Sequence, residues 1–337
     1  MAIPLIDNIR TELIGIEAII DAVTVDRDTA IARADTATAT VARLGEENAA
    51  LLVSNQALLA RLAALQPAPV KVDTWIGATI NAKAGQTAAA ALTAWEQTKG
   101  RCGVLRTFNS VLPTSFSSAS GASQMHGRHR IISVKGAATA AYWDRFITSI
   151  PVEHDTAGNP IVTVLVIWHE PENDGGTMTP TVYRAACHLL EQRVRASGRD
   201  DVVAGAVLMS WLERDAETLN TSSADWFPTE HVGNFVLLLD PYDPNSNRTL
   251  RAQTEPTLAL WRQAGGVWWG IAETASHRTG DDLARWITDG LDWAHVEGAS
   301  FVCWFHSAVG TAAGPTGWWL DDPKGAAAWK AKAPVMR

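Results

Sequence analysis

Apolar side chains recur along residues 6–65 at alternating spacings of three and four, with polar residues between them. Such spacing, held over about nine heptads, predicts a long helix that buries its apolar stripe in a coiled coil. With Ile6 at position a, the a positions are Ile6, Leu13, Ile20, Arg27, Ala34, Val41, Asn48, Asn55 and Leu62. The d positions are Ile9, Ile16, Val23, Ala30, Ala37, Leu44, Leu51, Leu58 and Leu65. One helix cannot bury this stripe, so the chain is expected to self-associate through residues 6–65.

The residues at the a and d positions also bear on the number of helices. Ile predominates at both positions in the first three heptads, which favours three strands, whereas Asn48 and Asn55 at a positions often accompany two. We expect a trimer in preference to a dimer. Two prolines in QPAPVKVD (66–73) end the helix. The sequence thus predicts a stalk at 1–66, a linker at 67–73 and a globular domain at 74–337.

Eight strand-like runs follow the linker, separated mostly by helical patterns. They are 75–80, 103–108, 130–135, 161–168, 202–211, 235–240, 267–273 and 301–306. Helical patterns lie between them, for example at 87–100, 139–150, 179–198 and 280–298. This alternation predicts an α/β fold, a closed parallel (β/α)8 TIM barrel, with an open doubly wound sheet as the alternative. Neither GxGxxG nor GxxxxGK[ST] follows an early strand, so the usual nucleotide-binding signatures are absent.

Composition supports this division and limits the partners. Every Trp, Tyr and Phe lies at residue 75 or beyond, and the first 66 residues hold two Gly and one Pro. The net charge is −8 and no basic run occurs, which argues against nucleic acid and anionic membranes as partners. Three widely spaced cysteines are expected to be buried thiols. The sequence shows no export signal and no apolar stretch of eighteen residues, so we expect a soluble chain.

Two strand-like runs lead directly into a glutamate. IVTVLVIWHEPEN (161–173) contains Glu170, and GGVWWGIAETA (265–275) contains Glu273. In α/β barrels the chemistry lies at the C-terminal ends of the strands. Two carboxylates at that rim suggest glycoside hydrolysis, in which one group protonates the leaving oxygen and the other attacks or activates water. The alternative is that both glutamates are unrelated surface or ion-paired residues.

These positions resemble the retaining glycoside hydrolases of clan A, and most closely glycoside hydrolase family 26. The pair His169–Glu170 ends the fourth strand as in family 26, and Asp240 with Tyr242 resembles its Asp-x-Tyr after the sixth strand. The resemblance implies that Glu170 is a protonated general acid/base and Glu273 an ionised nucleophile, to which Tyr242 donates a hydrogen bond. The sequence departs from the family pattern in the Thr-Ala-Ser after Glu273. Glu172 is the alternative acid.

Further residues are candidates for the same cleft. Arg106, on the second strand, could keep Glu273 ionised or could form an ion pair inside the barrel. Trp304, on the eighth strand, is a candidate sugar platform, with a core position as the alternative. Trp211 and His306 are weaker candidates for the cleft. Asn173 and Asp174, on the loop after the fourth strand, could bind sugar hydroxyls. We expect no cofactor and no metal, since His126 and His129 have no third ligand nearby.

Together the parts indicate glycosidase-like heads on an oligomeric stalk. An Ala-rich, Lys-poor chain with a helical stalk and no export signal fits a phage tail or tip protein, carried on the virion and acting on a host-envelope polysaccharide. Other tail proteins are then possible partners. The alternatives are a non-catalytic, trimeric receptor-binding protein and an enzyme, cytoplasmic or externally anchored, whose coil only oligomerises it. Sugar identity, linkage and endo or exo action are not evident from the sequence.

Overall fold

The computed structural model describes residues 3–65, 73–83, 85–173, 178–214, 221–228, 232–307 and 317–333. The chain divides into two compact units, Met1–Val70 and Lys71–Arg337. Among the described residues, no helix is long and apolar enough to cross a membrane.

The first unit contains the long helix α1 (Ile3–Leu65) of 63 residues. At about 1.5 Å per residue it is roughly 95 Å long. Between Leu13 and Leu51, the large apolar side chains at the a and d positions are 51–69% exposed. One chain therefore leaves this stripe in contact with solvent, and burying it requires a further helix.

The second unit is built on eight parallel strands that close into a barrel. Their bounds are β1 (Trp75–Ile80), β2 (Val104–Asn109), β3 (His129–Val134), β4 (Thr163–Ile167), β5 (Val202–Met209), β6 (Phe235–Asp240), β7 (Trp268–Ser276) and β8 (Phe301–His306). Each strand pairs with the next in sequence, and β8 returns to pair with β1. The predicted barrel is confirmed, and the pairing of β6 with β7 excludes the open sheet.

Helices surround this barrel and return the chain from one strand to the next. They are α2 (Ala88–Lys99), α3 (Ala140–Ser149), α4 (Pro180–Ala196), α5 (Leu250–Gln263), α6 (Gly280–Val296) and α7 (Pro323–Lys332). Helices α2 to α5 each begin after a threonine whose hydroxyl accepts a backbone N–H of the first turn. A threonine cap satisfies a donor that the helix itself cannot pair, which fixes where these helices start.

Alternation along the strands separates two apolar cores. Val104, Val164, Val236 and Cys303 belong to a small cluster inside the barrel, while their neighbours in sequence pack against the helices. Arg106 follows Val104 at the next inward position of β2, and Asp240 follows the inward-facing Leu238 on β6. Regular alternation thus carries a cation and an anion into the upper part of the barrel interior. Cys102, Cys187 and Cys303 are buried free thiols, as predicted.

Strand β7 departs from this alternation just where Glu273 lies. Ile271 pairs with Val302 and Thr274 with Trp304, so three steps along β7 match two steps along β8. Ile271 packs in the helix-facing core, and strict alternation would also direct residue 273 toward the helices. The extra residue is a β-bulge, which re-aims the side chain. Glu273 consequently reaches Arg106 inside the barrel.

Candidate active site

Three carboxylates meet at the C-terminal end of the barrel. Glu170 follows β4, Asp240 ends β6 and Glu273 lies in β7, and one oxygen of each lies within 4.8 Å of the others. Retaining glycosidases hold their two carboxyl groups about 5–5.5 Å apart, whereas inverting enzymes need about 6.5–9.5 Å to admit a water molecule. The nearest oxygens of Glu170 and Glu273 thus lie within 4.8 Å of each other, and this proximity is the basis of the function proposed below.

The backbone on either side of His169 is strained. Trp168 has φ 56° and Glu170 has φ 50°, the left-handed region that residues with a Cβ rarely adopt. Hydrogen bonds hold both residues in place: the Trp168 N–H donates to the Val134 carbonyl at 2.9 Å, and the Glu170 N–H donates to Val207 at 3.2 Å. Strained residues that are held by their surroundings cluster at functional sites. The local geometry therefore points to Glu170 as a functional residue.

The side chain of Glu170 is partly exposed and accepts a hydrogen bond from its own loop. Asn173, itself exposed, donates from Nδ2 to Glu170 Oε2 at 3.4 Å. The ring of His169 packs edge-on against Phe108 at 4.5 Å. Burial lowers the pKa of His169 to about 2, helped by the charges of Arg106 and Lys135. The imidazole of His169, the residue before Glu170, is therefore neutral near pH 7.

Glu273 is almost fully buried, with 3% of its surface exposed, and accepts two hydrogen bonds. The Tyr242 hydroxyl donates to Oε2, and the Thr79 hydroxyl donates to Oε1 at 3.3 Å. Burial, together with the charges of Glu273 and Asp240, raises the pKa of Tyr242, so the phenol keeps its proton. These donors fix the orientation of the Glu273 carboxylate toward the rim.

Arg106 provides the positive charge of the site. Its Nη1 lies 2.8 Å from Asp240 and 3.8 Å from Glu273, and the side chains of Arg106 and Asp240 are completely buried. Its guanidinium also lies 4.4 Å from the ring centre of Phe108. Arg106 therefore forms an ion pair inside the barrel and also lies near Glu273. Of the two roles considered from the sequence, the ion pair inside the barrel is the one that these distances show.

The single guanidinium of Arg106 lies near two buried carboxylates, Asp240 and Glu273, and this arrangement affects the pKa of both. Burial raises the pKa of Glu273 to about 7, because the opposing charge of Arg106 only partly offsets it and Glu170 adds repulsion. Burial likewise raises the pKa of Asp240. Once the first carboxylate has ionised against Arg106, the second adds net negative charge to the barrel interior. Glu273, expected to be ionised, therefore holds its proton to a higher pH than an exposed glutamate does.

The three carboxylates are also the group of described residues that is close enough together to hold a metal ion. Arg106 already lies among them and supplies a positive charge from the chain itself. We accordingly assign no metal to this site.

Trp304 and His306 lie outside the cleft, contrary to expectation. Trp304 is completely buried and donates from Nε1 to the Trp318 carbonyl at 2.9 Å. The Nδ1 of His306 accepts from the Leu320 N–H at 3.1 Å, and its ring packs on Trp95. Phe301 and Cys303 face the barrel interior, so the alternate residues of β8 face the helices. The prediction that Trp304 is a sugar platform is thus wrong, and Trp304 is a core residue.

Two other candidates, Trp211 and Glu172, have the following surroundings. Trp211 follows β5 and packs, partly exposed, against the helix-facing core. Glu172, the alternative acid, accepts the backbone N–H of Met209 and is not one of the three clustered carboxylates. Asp174 lies outside the described residues.

Two residues that support the site, Thr79 and Trp318, were not predicted from the sequence. Thr79, which donates to Glu273, follows Gly77 at an inward position of β1, so alternation along that strand could have indicated it. Trp318 packs against Tyr242 at 5.2 Å and stacks on His277 at 4.1 Å, which holds the tyrosine beside Glu273. Trp318 follows no strand or helix pattern, so no sequence signal marked it.

No family model and no curated protein sequence matches this chain. Among solved structures, a family GH26 β-mannanase from Bacteroides ovatus matches with a TM-score of 0.50 and 15% identity, over 77% of this chain and 85% of that one. A glucosidase from Croceicoccus marinus matches with a TM-score of 0.50 and 13% identity, over 80% and 69%. A double mutant of a Cellulomonas fimi endo-β-1,4-mannanase gives 0.50 and 13%, over 77% and 70%. These similarities establish the barrel fold.

Proposed function

We propose that the barrel is a retaining glycoside hydrolase related to family 26 of clan A. The observation that carries this proposal is the short separation of Glu170 and Glu273 at the ends of the fourth and seventh strands. Glu170 acts as the general acid/base and Glu273 as the nucleophile. Tyr242, Thr79 and the ion pair of Arg106 with Asp240 hold the nucleophile in place.

The first chemical step forms a covalent intermediate. A lone pair of the ionised Glu273 attacks the anomeric carbon while the glycosidic bond breaks, and its electrons pass to the leaving oxygen. Glu170 gives its proton to that oxygen. The partly exposed position of Glu170 lets it reach the leaving group, while the buried Glu273 is shielded from bulk water.

The second step releases the sugar. Glu170, now ionised, takes a proton from a water molecule, whose oxygen attacks the anomeric carbon from the side the leaving group vacated. The bond to Glu273 breaks and its electrons return to the carboxylate. Two inversions give net retention. Arg106 limits the electrostatic cost of the ionised Glu273 before and after the cycle.

The stalk supports a proposal about location and substrate. A 63-residue helix with an exposed heptad stripe suits a trimeric coiled coil, and such a stalk suits an enzyme carried on a phage tail. The substrate class that follows is a polysaccharide of the host envelope. Other tail proteins would be partners at the stalk.

A glycan screen tests the activity. Purified full-length protein is incubated with bacterial cell-wall glycans, capsular polysaccharides and β-mannan, and the release of reducing ends is measured. We expect release from at least one envelope glycan and none from the Glu273→Gln variant. Binding to a glycan without release, in wild type and variant alike, would instead establish the non-catalytic receptor-binding alternative.

A further inference from the structure

Strand β5 extends beyond its partner β4 at the end that carries the active site. The β4–β5 ladder ends with Val166 opposite Gly205, while β5 continues to Met209. Past that point β5 still pairs with β6, while on its β4 side the hydrogen bonds come from the loop after β4. The Glu170 N–H donates to the Val207 carbonyl at 3.2 Å, and the Met209 N–H donates to the carboxylate of Glu172.

Glu172 is therefore an anchor for the loop that carries Glu170. It lies in the short 3-10 turn Pro171–Asn173, two residues after Glu170. Its carboxylate accepts the backbone N–H of Met209, which joins the turn to the end of β5. Met209 also pairs with Asp240 on β6, so this anchor is attached to the strand that completes the carboxylate cluster.

Glu170 needs such an anchor because its own backbone is strained. Its φ of 50° and that of 56° at Trp168 are unfavourable for residues with a Cβ, and they persist only where the surroundings enforce them. Within the turn, the Asn173 N–H donates to the Glu170 carbonyl at 3.0 Å. That bond shapes the turn but does not attach it to the barrel. The Glu172 carboxylate and the Glu170 N–H make the attachment to β5.

We propose that Glu172 is a positioning residue for proton transfer by Glu170, holding the Pro171–Asn173 turn against the end of β5. The proposal rests on the proposed glycosidase function. It assigns a different role to the residue that the sequence alone offered as an alternative acid.

Leaving-group dependence separates positioning of the acid from general damage. Glu172→Ala removes the acceptor for Met209, and Glu172→Gln retains an oxygen that can accept the same N–H. We expect Glu172→Ala to lower kcat/KM about 100-fold on a phenyl glycoside of the cleaved sugar, the scale of loss for a small misplacement. On the 2,4-dinitrophenyl glycoside, whose departure needs no proton, the loss should stay within about threefold. Glu172→Gln should restore most of the phenyl glycoside rate.

Glu191→Ala is the matched control. Glu191 is a buried carboxylate that accepts from Asn234 Nδ2 at 2.8 Å, on α4 and away from the carboxylate cluster. Glu191→Ala should lower thermal stability, and any change in kcat/KM should be the same for the phenyl and the 2,4-dinitrophenyl glycoside. Should Glu172→Ala fail to fold, Glu172→Asp, whose shorter side chain pulls away from Met209, must show the same leaving-group pattern. Equal losses on both substrates, or the same pattern in Glu191→Ala, overturn the proposal.

Amide hydrogen exchange makes the test independent of activity. Faster exchange at Met209 and Glu170 in Glu172→Ala, with the rest of the barrel unchanged, supports the anchor, and unchanged exchange overturns it. A wild type that cleaves no glycan while this exchange result holds contradicts the proposed function and leaves the anchor established. The two failures are thus distinguishable.

Discussion

Glu273 is subject to opposing influences on its charge. It is 3% exposed, it lies 3.8 Å from Arg106, and it shares its surroundings with Asp240 and Glu170. Burial outweighs the attraction of Arg106 and raises its pKa to about 7. The sequence showed a glutamate at the end of a strand, and the resemblance to family 26 implied its role as the nucleophile. It could not show how many carboxylates would share one guanidinium, since that depends on four strands meeting.

The raised pKa of Glu273 predicts a pH-dependent cost to stability. The folded state holds this proton more tightly than the unfolded state, whose pKa is near 4.5, so stability falls as pH rises from about 4.5 to about 7. The difference corresponds to ~3 kcal/mol. Glu273→Gln cannot ionise and should escape this loss. Urea denaturation measures the free energy of unfolding of both proteins between pH 4.5 and pH 7. The variant should become more stable relative to the wild type as pH rises, and a difference in unfolding free energy that does not change with pH would contradict the account.

The two glutamates should respond differently to substitution. Glu273→Gln should abolish turnover while preserving glycan binding, because the amide keeps the shape of the side chain and loses the nucleophile. Glu170→Gln should slow hydrolysis of natural substrates but spare the first step on activated aryl glycosides. Pre-steady-state release of the aryl group measures that step. A rate within about tenfold of wild type on a natural glycan, in either variant, would refute the assigned roles.

At the scale of elements, the strands were predictable and their irregularities were not. Runs of Val, Ile, Leu and Trp gave all eight barrel strands within a few residues, because strands buried on both faces are apolar throughout. Because these runs are apolar throughout, the sequence does not show which of their residues face the barrel interior and which face the helices. FVCWFH (301–306) looks alike on both faces, and the bulge at 271–274 leaves no mark in the sequence. Trp304 was misplaced for this reason.

The corrected position of Trp304 predicts a structural role. Its ring packs edge-on against Trp286 and Trp329 in the helix-facing core, so Trp304→Ala should cost about 3–5 kcal/mol of unfolding free energy. Trp268, which is 47% exposed, is the control, and its replacement by Ala should cost much less. Denaturant unfolding compares the two. If Trp304→Ala instead weakens glycan binding and leaves the stability unchanged, Trp304 is a sugar-binding residue and not a core residue.

At the scale of the whole molecule, the two units have separate sources of stability. The barrel buries its own core, whereas the large apolar a and d side chains of α1 remain exposed in one chain. Deleting residues 1–66 should therefore leave a folded, monomeric barrel, because the heptad stripe is the predicted assembly surface. Multi-angle light scattering of both forms tests this. A truncated protein that remains oligomeric would place the interface in the barrel.

The stereochemistry of the product tests the central claim most directly. The nearest oxygens of Glu170 and Glu273 lie within 4.8 Å, and the proposed double displacement at this pair predicts that the reaction passes through a glycosyl-enzyme. Proton NMR, recorded in the first minutes of glycan cleavage before the anomers equilibrate, should show a new reducing end with the anomeric configuration of the bond that was cut. Initial appearance of the opposite anomer would contradict the retaining mechanism and the role of Glu273 as nucleophile.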